Sequence, residues 1–432
     1  MENKFKISRR NFVGTAAAGA AAFTVVPGFS IAANTGTEKI RLGFIGVGIQ
    51  SHGLLKSLSK CPETVVMACC DVVTTKVDKF KGEAQALNDK KWIGEKYEVT
   101  GYKNYRDLLD RKDIDAVVIA TPDHWHAQVA VDAAKAGKDI YCEKPMALTV
   151  AEGRAMVKAT RKYKRVFQTG NMQRSWRNFR HACELVANGY IGDIKEVNVC
   201  VGTPVKALDL PSVPAPDNVD WDMWVGPSLY REYSPVLAPP VEDLRFPNWR
   251  SYREFGGGMI TDWGAHMFDI AQWALGMDES GPVEFNPPAE HAVIGLQMKY
   301  KNGVVLNHTQ WGKDCNGVQF IGTLGEIEVS RDFLRSDPAT IVETEIKPTD
   351  KHLYKSDNHY QDWIDAIKKR TRPISDVETG HRTSSLCNIA NIAYELQRPL
   401  RWDPKKEQFI GDAAANMMLS RAYRGKWNFL DF

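Results

Sequence analysis

Asp262 and His266, one helical turn apart, are the pair in this 432-residue chain best suited to move a proton. They lie in FGGGMITDWGAHMFDIAQWALG, residues 255–276. Drawn as a helix at about 100° per residue, the stretch puts Asp262, His266, Asp269 and Trp273 on one narrow face. Ile260, Trp263, Met267, Ile270 and Ala274 fall on another, apolar face. Three glycines lead in, and Gly276 follows Leu275 where a left-handed residue would end the helix. An imidazole near its ordinary pKa of about 6.5 can accept a hydroxyl proton. A carboxylate one turn earlier can accept from a neighbouring hydroxyl or orient the ring. Asp269 and Trp273, one and two turns deeper, are read as structural.

Such a pair needs a reactant, and the first half of the chain points to one. From Lys39, KIRLGFIGVGIQSHGLLKSL reads as an apolar strand, a glycine turn and a helix. Gly46-Val47-Gly48-Ile49-Gln50-Ser51 fits G-x-G-x-x-G except at its last position, where Ser51 stands. Gly46 would allow the tight turn, and Gly48 the close approach of a pyrophosphate to the helix N-terminus. A second apolar strand, Thr64 to Cys70, ends in Asp71. A carboxylate there can accept from both hydroxyls of an adenosine ribose and repels a 2′-phosphate, which favours NAD over NADP. Strands and helices then alternate: Ala116 to Ala120, Trp125 to Ala136, Asp139 to Cys142, Val150 to Tyr163, Val166 to Thr169. Alternation of this kind signals a doubly wound parallel sheet, which binds ligands beyond the carboxyl ends of its strands. Thr121-Pro122-Asp123-His124 and Glu143-Lys144-Pro145 both fall there. Ile49, Gln50, Ser51, Thr121, Pro122, Asp123, His124, Glu143 and Lys144 therefore join Gly46, Gly48 and Asp71 as the expected cofactor wall. Lys144 could also polarise a substrate hydroxyl. His126 is read as packing or capping. His124 and His126, two apart with no third ligand at sensible spacing, make a poor metal pair. A metal held by Asp262, His266 and Asp269 is unnecessary beside a dinucleotide domain, and none is expected.

After Thr169 the alternation stops. A helix from about Trp176 to Asn188 and a strand from Lys195 to Val201 precede a proline-rich excursion, Thr203 to Pro247, with Trp221, Trp224, Trp249 and Tyr252 in or just beyond it. Loops this long in a compact domain are functional or disordered, and the aromatic content argues against disorder. Tryptophan faces suit sugar rings, although each taken singly reads first as a core anchor for the loop. Strands His291 to Tyr300, Val304 to Trp311, Val318 to Gly322 and Gly325 to Val329 follow, the first two joined by the turn Lys301-Asn302-Gly303. Helices near Asn358 to Lys369 and Glu378 to Leu396 close the chain. The architecture expected is α/β: a doubly wound parallel sheet over 38–170, then an α+β domain over 171–432 with a largely antiparallel open sheet. A face of that sheet left free of helices is expected to pair with another copy in a homo-oligomer.

Composition narrows the classes. At 43% hydrophobic the chain can bury a large core. Its formal charge of +3 resides in the first 33 residues, where Lys4, Lys6, Arg9 and Arg10 face Glu2, leaving a neutral body with no electrostatic case for nucleic acid. The eight cysteines show no paired CxxC pattern and read as small buried hydrophobes. Ser8-Arg9-Arg10-Asn11-Phe12-Val13, the mildly apolar run to Val26 and the small residues near Ala33 look like a twin-arginine export signal over 1–33. The run is too weakly apolar for a stable membrane span, so the exported, periplasmic protein is expected free of the membrane.

The glycine turn, Asp71, Thr121-Pro122-Asp123, Glu143-Lys144-Pro145 and Asp262…His266 together resemble the Gfo/Idh/MocA oxidoreductases, the glucose-fructose oxidoreductase and inositol dehydrogenase family, over about Lys39 to Gly325. The leader and the WDMWVGP loop look like those of its exported bacterial members. The resemblance implies a Rossmann domain for NAD, with Lys144 assisting at the substrate hydroxyl and Asp262 and His266 binding and deprotonating it. Arg174 and Trp249 are placed with Asp262 and His266 on the substrate side. The departure at Ser51 bears on pyrophosphate contact and is small. The leading expectation is an exported NAD-dependent dehydrogenase oxidising a ring hydroxyl of a sugar, glycoside or cyclitol with a tightly held cofactor. The alternatives are a redox-neutral glycoside hydrolase or lyase working through a transient keto-sugar, and a sugar- or cofactor-binding protein without turnover.

Overall fold

Near-continuous apolar strands open the described chain, and they assemble into a parallel sheet buried on both faces. The computed structural model describes residues 39–432 apart from 241, 242, 244, 312–315, 426 and 428–432. The arginine-led segment read as an export signal lies outside the described residues. Strands β1 (Ile40–Ile45), β2 (Thr64–Cys70), β3 (Thr100–Tyr102), β4 (Ala116–Ile119), β5 (Asp139–Cys142) and β6 (Phe167–Thr169) pair in the order β3-β2-β1-β4-β5-β6, all parallel. The order reverses between β1 and β4, and Gly46 and Thr121 follow their carboxyl ends closely. That reversal opens the crevice in which doubly wound sheets take their ligands.

The second sheet contains β7 (Ile194–Cys200), β8 (Glu284–Asn286), β9 (Gln297–Lys299), β10 (Val305–His308), β11 (Gly317–Gly322), β12 (Glu326–Ser330), β13 (Leu334–Asp337), β14 (Leu400–Asp403) and β15 (Gln408–Phe409). Its order is β13-β12-β11-β7-β10-β9-β8-β14-β15, antiparallel except between β7 and β10. Val197, Val199, Leu306, Val318, Phe320, Ile327 and Val329 point to one face and are buried with helices Arg177–Ala187, Gly264–Ala274 and Val377–Leu396. On the other face Asn198, Asn307, Gln319 and Glu328 form a polar ladder, with Asn198 donating to Gln319 over 2.9 Å and Asn307 to Asn198 over 3.0 Å.

Two local departures have clear causes. The strand expected from His291 shrinks to β9, because Glu290 and His291 take left-handed φ of 57° and 55°, which extended pairing excludes. The helix expected through 256–276 is divided into Met259–Asp262 and Gly264–Ala274. At the division the Asp262 carbonyl accepts from Lys144 Nζ over 3.0 Å, while the His266 amide, its partner in a regular helix, donates to the Trp263 carbonyl over 2.9 Å. The catalytic candidates thus sit at an interruption where the other sheet's lysine donates. Gly276, with φ 68°, ends the helix as expected.

The late helices do not stay with the second sheet. His359–Lys369, capped by the Asn358 side chain, returns to the first sheet, burying Trp363, Ile364 and Ile367 with Leu42, Phe44 and Leu54. Val377 likewise packs with Ile119 and Cys142. The seven described cysteines are buried, in keeping with their reading as small hydrophobes.

Candidate active site

The glycine turn is shaped by what it must pass. A Cβ on Gly46 would lie 2.6 Å from the Thr121 amide nitrogen and 2.7 Å from the Ala120 carbonyl carbon, and the residue has φ 81°, so only glycine fits between β1 and the end of β4. Gly48 caps helix Ile49–Leu58, and a Cβ there would meet nothing within 4 Å: open space faces it. Asp71 is held by two amides, Oδ2 accepting from Val47 over 2.9 Å and Oδ1 from Val73 over 3.0 Å. Ser51 turns inward instead, its hydroxyl donating to the Gly48 carbonyl over 2.6 Å, and is buried away from the cavity wall.

A cavity of about 480 Å³ opens beyond these strand ends and reaches the second sheet. The first sheet lines it with Gly46, Gly48, Ile49, Gln50, Asp71, Thr121, Pro122, Asp123, Glu143 and Lys144. The second half contributes Trp249, Arg250, Asp262, Trp263, His266 and Arg331. Gln50 donates to Glu143 over 3.2 Å and so ties the glycine turn to the turn after β5. His126, also on the wall, bridges the Pro145 and Thr121 carbonyls at 2.8 and 2.9 Å, in keeping with the packing role read for it.

Lys144 reaches across the cavity. Its Nζ donates to Asp262 Oδ1 over 2.8 Å, and Arg250 Nε lies 3.4 Å from the same oxygen while its guanidinium stacks 4.3 Å from Trp249. Burial works against the charge of Asp262, but Lys144 and Arg250 outweigh it and hold the carboxyl below its usual range. Asp123 has the opposite fate: burial, then the charge of Asp262, pushes its carboxyl well above the usual range. His266 is 4% exposed and its Nδ1 has no partner. Burial, then the charges of Lys144 and Arg331, pushes its pKa well below 6.5, so the imidazole is neutral at ordinary pH.

Besides Ser51, two residues assigned to the site from sequence lie elsewhere. Arg174 is 1% exposed, absent from the cavity wall, and bound by two carboxylates: its distances are 2.7 and 2.8 Å to Asp269, 2.7 and 3.0 Å to Asp278. Four of its five N–H donors are thus spent on carboxylates away from the cavity. His124 is buried beneath the excursion, its Nε2 donating to the Trp224 carbonyl over 2.9 Å and its ring 5.0 Å from Phe255, and it does not line the cavity. Of the four excursion aromatics, Trp224 and Trp249 reach the wall, whereas Trp221 stacks under Trp224 at 4.5 Å and Tyr252 packs against the same cluster. Arg250 and Arg331 were missed by sequence reading. Arg250 had one faint signal, its place beside Trp249; Arg331, just past a strand end, had none.

Residues 40–171 match the model of an oxidoreductase family's NAD-binding Rossmann fold, and residues 201–429 match that family's C-terminal alpha/beta domain. The chain belongs to the GFO/IDH/MocA oxidoreductase family. The inositol 2-dehydrogenase of Salmonella paratyphi B is 32% identical over 299 residues, covering 65% of this chain and 84% of the relative. The myo-inositol 2-dehydrogenase of Thermotoga maritima is 25% identical over 394 residues, 86% of this chain and all of the relative. In fold, the chain is similar to the solved aldose-aldose oxidoreductase of Caulobacter crescentus, with a TM-score of 0.58 at 20% identity over 84% of this chain and 100% of the other.

For a GFO/IDH/MocA member the cavity fits a nicotinamide dinucleotide. Open space lies before Gly48 at a helix N-terminus, a backbone-held carboxylate stands at Asp71, and Thr121 Oγ1 is buried on the wall with no partner in the protein. Gly46, Gly48, Gln50, Asp71, Thr121 and Glu143 are the residues that would hold it.

Proposed function

We propose that the protein is an NAD-dependent dehydrogenase that oxidises a secondary hydroxyl on the ring of a sugar, glycoside or cyclitol. The observation that carries this reading is the neutral, unpartnered His266 beside the Lys144–Asp262 pair, in the cavity that begins at the glycine turn. Nicotinamide, when bound, accepts the hydride that leaves the alcohol carbon. His266 accepts the hydroxyl proton as that carbon becomes a carbonyl. Lys144 donates to the alcohol oxygen and steadies its developing negative charge, and Asp262 fixes the ammonium in place. Trp249, its ring held by Arg250, offers an apolar face to the sugar. The Asp71 carboxylate supports NAD over NADP, since it would repel a 2′-phosphate. The inositol dehydrogenase relatives support a polyhydroxylated ring as substrate.

The leader supports export through the twin-arginine route to the periplasm, with cofactor loaded before export and retained. Retention at nanomolar dissociation constants requires about 12 kcal/mol of binding. Self-association through the open face of the second sheet is part of the same proposal.

The full chain is to be purified in its exported form, its nucleotide released and identified, and the protein incubated with glycosides and cyclitols with and without a chemical electron acceptor. The expected result is bound NAD and acceptor-dependent formation of a keto-sugar. Absence of any nicotinamide nucleotide, or of carbonyl product, overturns the reading; acceptor-independent cleavage of the glycosidic bond replaces it with the redox-neutral one.

A further inference from the structure

Arg331 follows the end of β12 and lines the cavity with Trp263 and His266. Its guanidinium is held in place by two rings, 4.6 Å from Trp263 and 5.5 Å from Trp176. One edge of the fork, Nε and Nη2, donates long bonds of 3.4 and 3.3 Å to the neutral Gln173 amide oxygen. No carboxylate among the described residues pairs with it; Asp262, Asp332 and Glu143 act on it only through space. Lys144 and Arg250 on the same wall, and Arg174 away from it, are matched differently. Lys144 and Arg250 share Asp262, and the buried Arg174 holds two carboxylates of its own. Arg331 is therefore a half-buried guanidinium, positioned by aromatic stacking, with no counter-ion and with donors left over at the wall where the reacting ring must lie.

A guanidinium keeps its charge in proteins, so it lowers the cost of partial burial by finding an anion rather than by losing its proton. Burial already works against the charged form of Arg331. The surroundings do not compensate. Lys144, Arg250 and Arg331 share the cavity wall with the acids Asp262, Glu143 and Asp123; Lys144 and Arg250 hold the Asp262 carboxyl below its usual range, while burial pushes those of Glu143 and Asp123 up. The phosphates of a dinucleotide have their own donors at the N-terminus of helix Ile49–Leu58, on the other sheet.

We propose that Arg331 reads a negative charge on the substrate: the ring oxidised beside His266 carries an oxyanion substituent, either the carboxylate of a sugar acid or the sulfate of a sugar ester. The inference rests on the dehydrogenase reading above and names its substrate class. A planar fork matches a two-oxygen anion in a way that a lone hydroxyl does not, which makes Arg331 a determinant of specificity.

The test is calorimetry on the NAD-loaded full chain with three sets of ligands of gluco, galacto and manno configuration: methyl hexuronosides, methyl hexoside 6-sulfates and neutral methyl hexosides. At least one anionic set is expected to bind about 10-fold to 100-fold tighter than its neutral counterpart. The set that does so distinguishes carboxylate from sulfate. In Arg331→Gln the ratio is expected to collapse toward one, and in Arg331→Lys, which keeps the charge without the fork, to recover in part. Neutral sugars binding as tightly as the anionic ones, binding of no anionic sugar, or an unchanged ratio in Arg331→Gln overturns the proposal. If neither variant folds, the comparison within the unsubstituted protein decides it. Acceptor-dependent turnover is scored on the same samples. An anionic sugar that binds tightly and is not oxidised counts against the dehydrogenase reading and leaves the charge-reading role intact, whereas efficient oxidation without any anionic preference does the reverse.

Discussion

Asp262 and Asp269 lie two turns apart on the same side of one helical run, and the protein treats them in opposite ways. Asp269 meets Arg174 along both carboxylate oxygens and also accepts from Thr383 over 2.8 Å, so both its oxygens are engaged inside the fold. Asp262 meets Lys144 and Arg250 at the edge of a cavity, beside an imidazole with nothing to bond. Both sites are ionic, Asp269 at 1% exposure and Asp262 half-buried at 15%, so ion pairing by itself does not separate structure from chemistry here. What separates them is whether the neighbouring elements exhaust the polar groups or leave some open. A saturated pair resists substitution because its loss strands a charge. An unsaturated one retains donors and acceptors for a ligand.

The largest effect that tests this contrast is expected at the open end. His266→Ala should lower kcat/KM on the oxidised sugar by about 10²-fold to 10⁴-fold while bound nucleotide and melting temperature stay near those of the parent. An active variant would move His266 into the structural class with Asp269. At the closed end the effect should fall on stability. Arg174→Met strands Asp269 and Asp278 and is expected to cost about 3–5 kcal/mol in denaturant unfolding, with turnover per folded molecule retained. Lost turnover without lost stability would restore Arg174 to the substrate side and erase the distinction. The smallest effect is on pH. Because the pKa of His266 is depressed, the base remains neutral as pH falls through 6.5, and Asp262, also depressed, remains ionised. The kcat/KM profile is therefore expected to stay level from pH 8 to below 6.5 and to decline only at lower pH, as His266 takes up a proton. An acid limb centred at 6.5 or above would show an imidazole exposed to water, contrary to the closed surroundings seen for it.

Much of the first sheet was legible because its signals are local. A strand, a glycine turn and a helix follow one another within twenty residues, and Asp71 comes directly after the next strand. Proton-moving candidates were legible for the same reason, since i and i+4 share a helix face whatever lies opposite. Legibility failed where a residue's role depends on a partner far along the chain. Arg174 is placed on the substrate side by sequence, but its two carboxylates, Asp269 and Asp278, come about a hundred positions later. His124 sits in a turn of the cofactor wall by sequence, but the Trp224 carbonyl turns it inward. The short strands β8 and β13 have too little alternation to stand out, and they form by pairing with neighbours already in place.

Sequence alone determined the family, the two kinds of sheet, and a list of polar residues at strand ends and on one helix face. The family came from the resemblance of its motifs, whereas the sheets and the polar residues follow from period, spacing and glycine stereochemistry, all of which act over a few residues. Only the tertiary structure decided which of those residues share a cavity. At the division of the helix, the Asp262 carbonyl accepts from Lys144, 118 positions earlier, and not from the His266 amide. Among the described residues no carboxylate pairs with Arg331, and Asp262, Asp332 and Glu143 act on it only through space. Pairing and desolvation are set by the whole packed arrangement, so the charge balance at the reacting ring cannot be read from any one stretch of the chain.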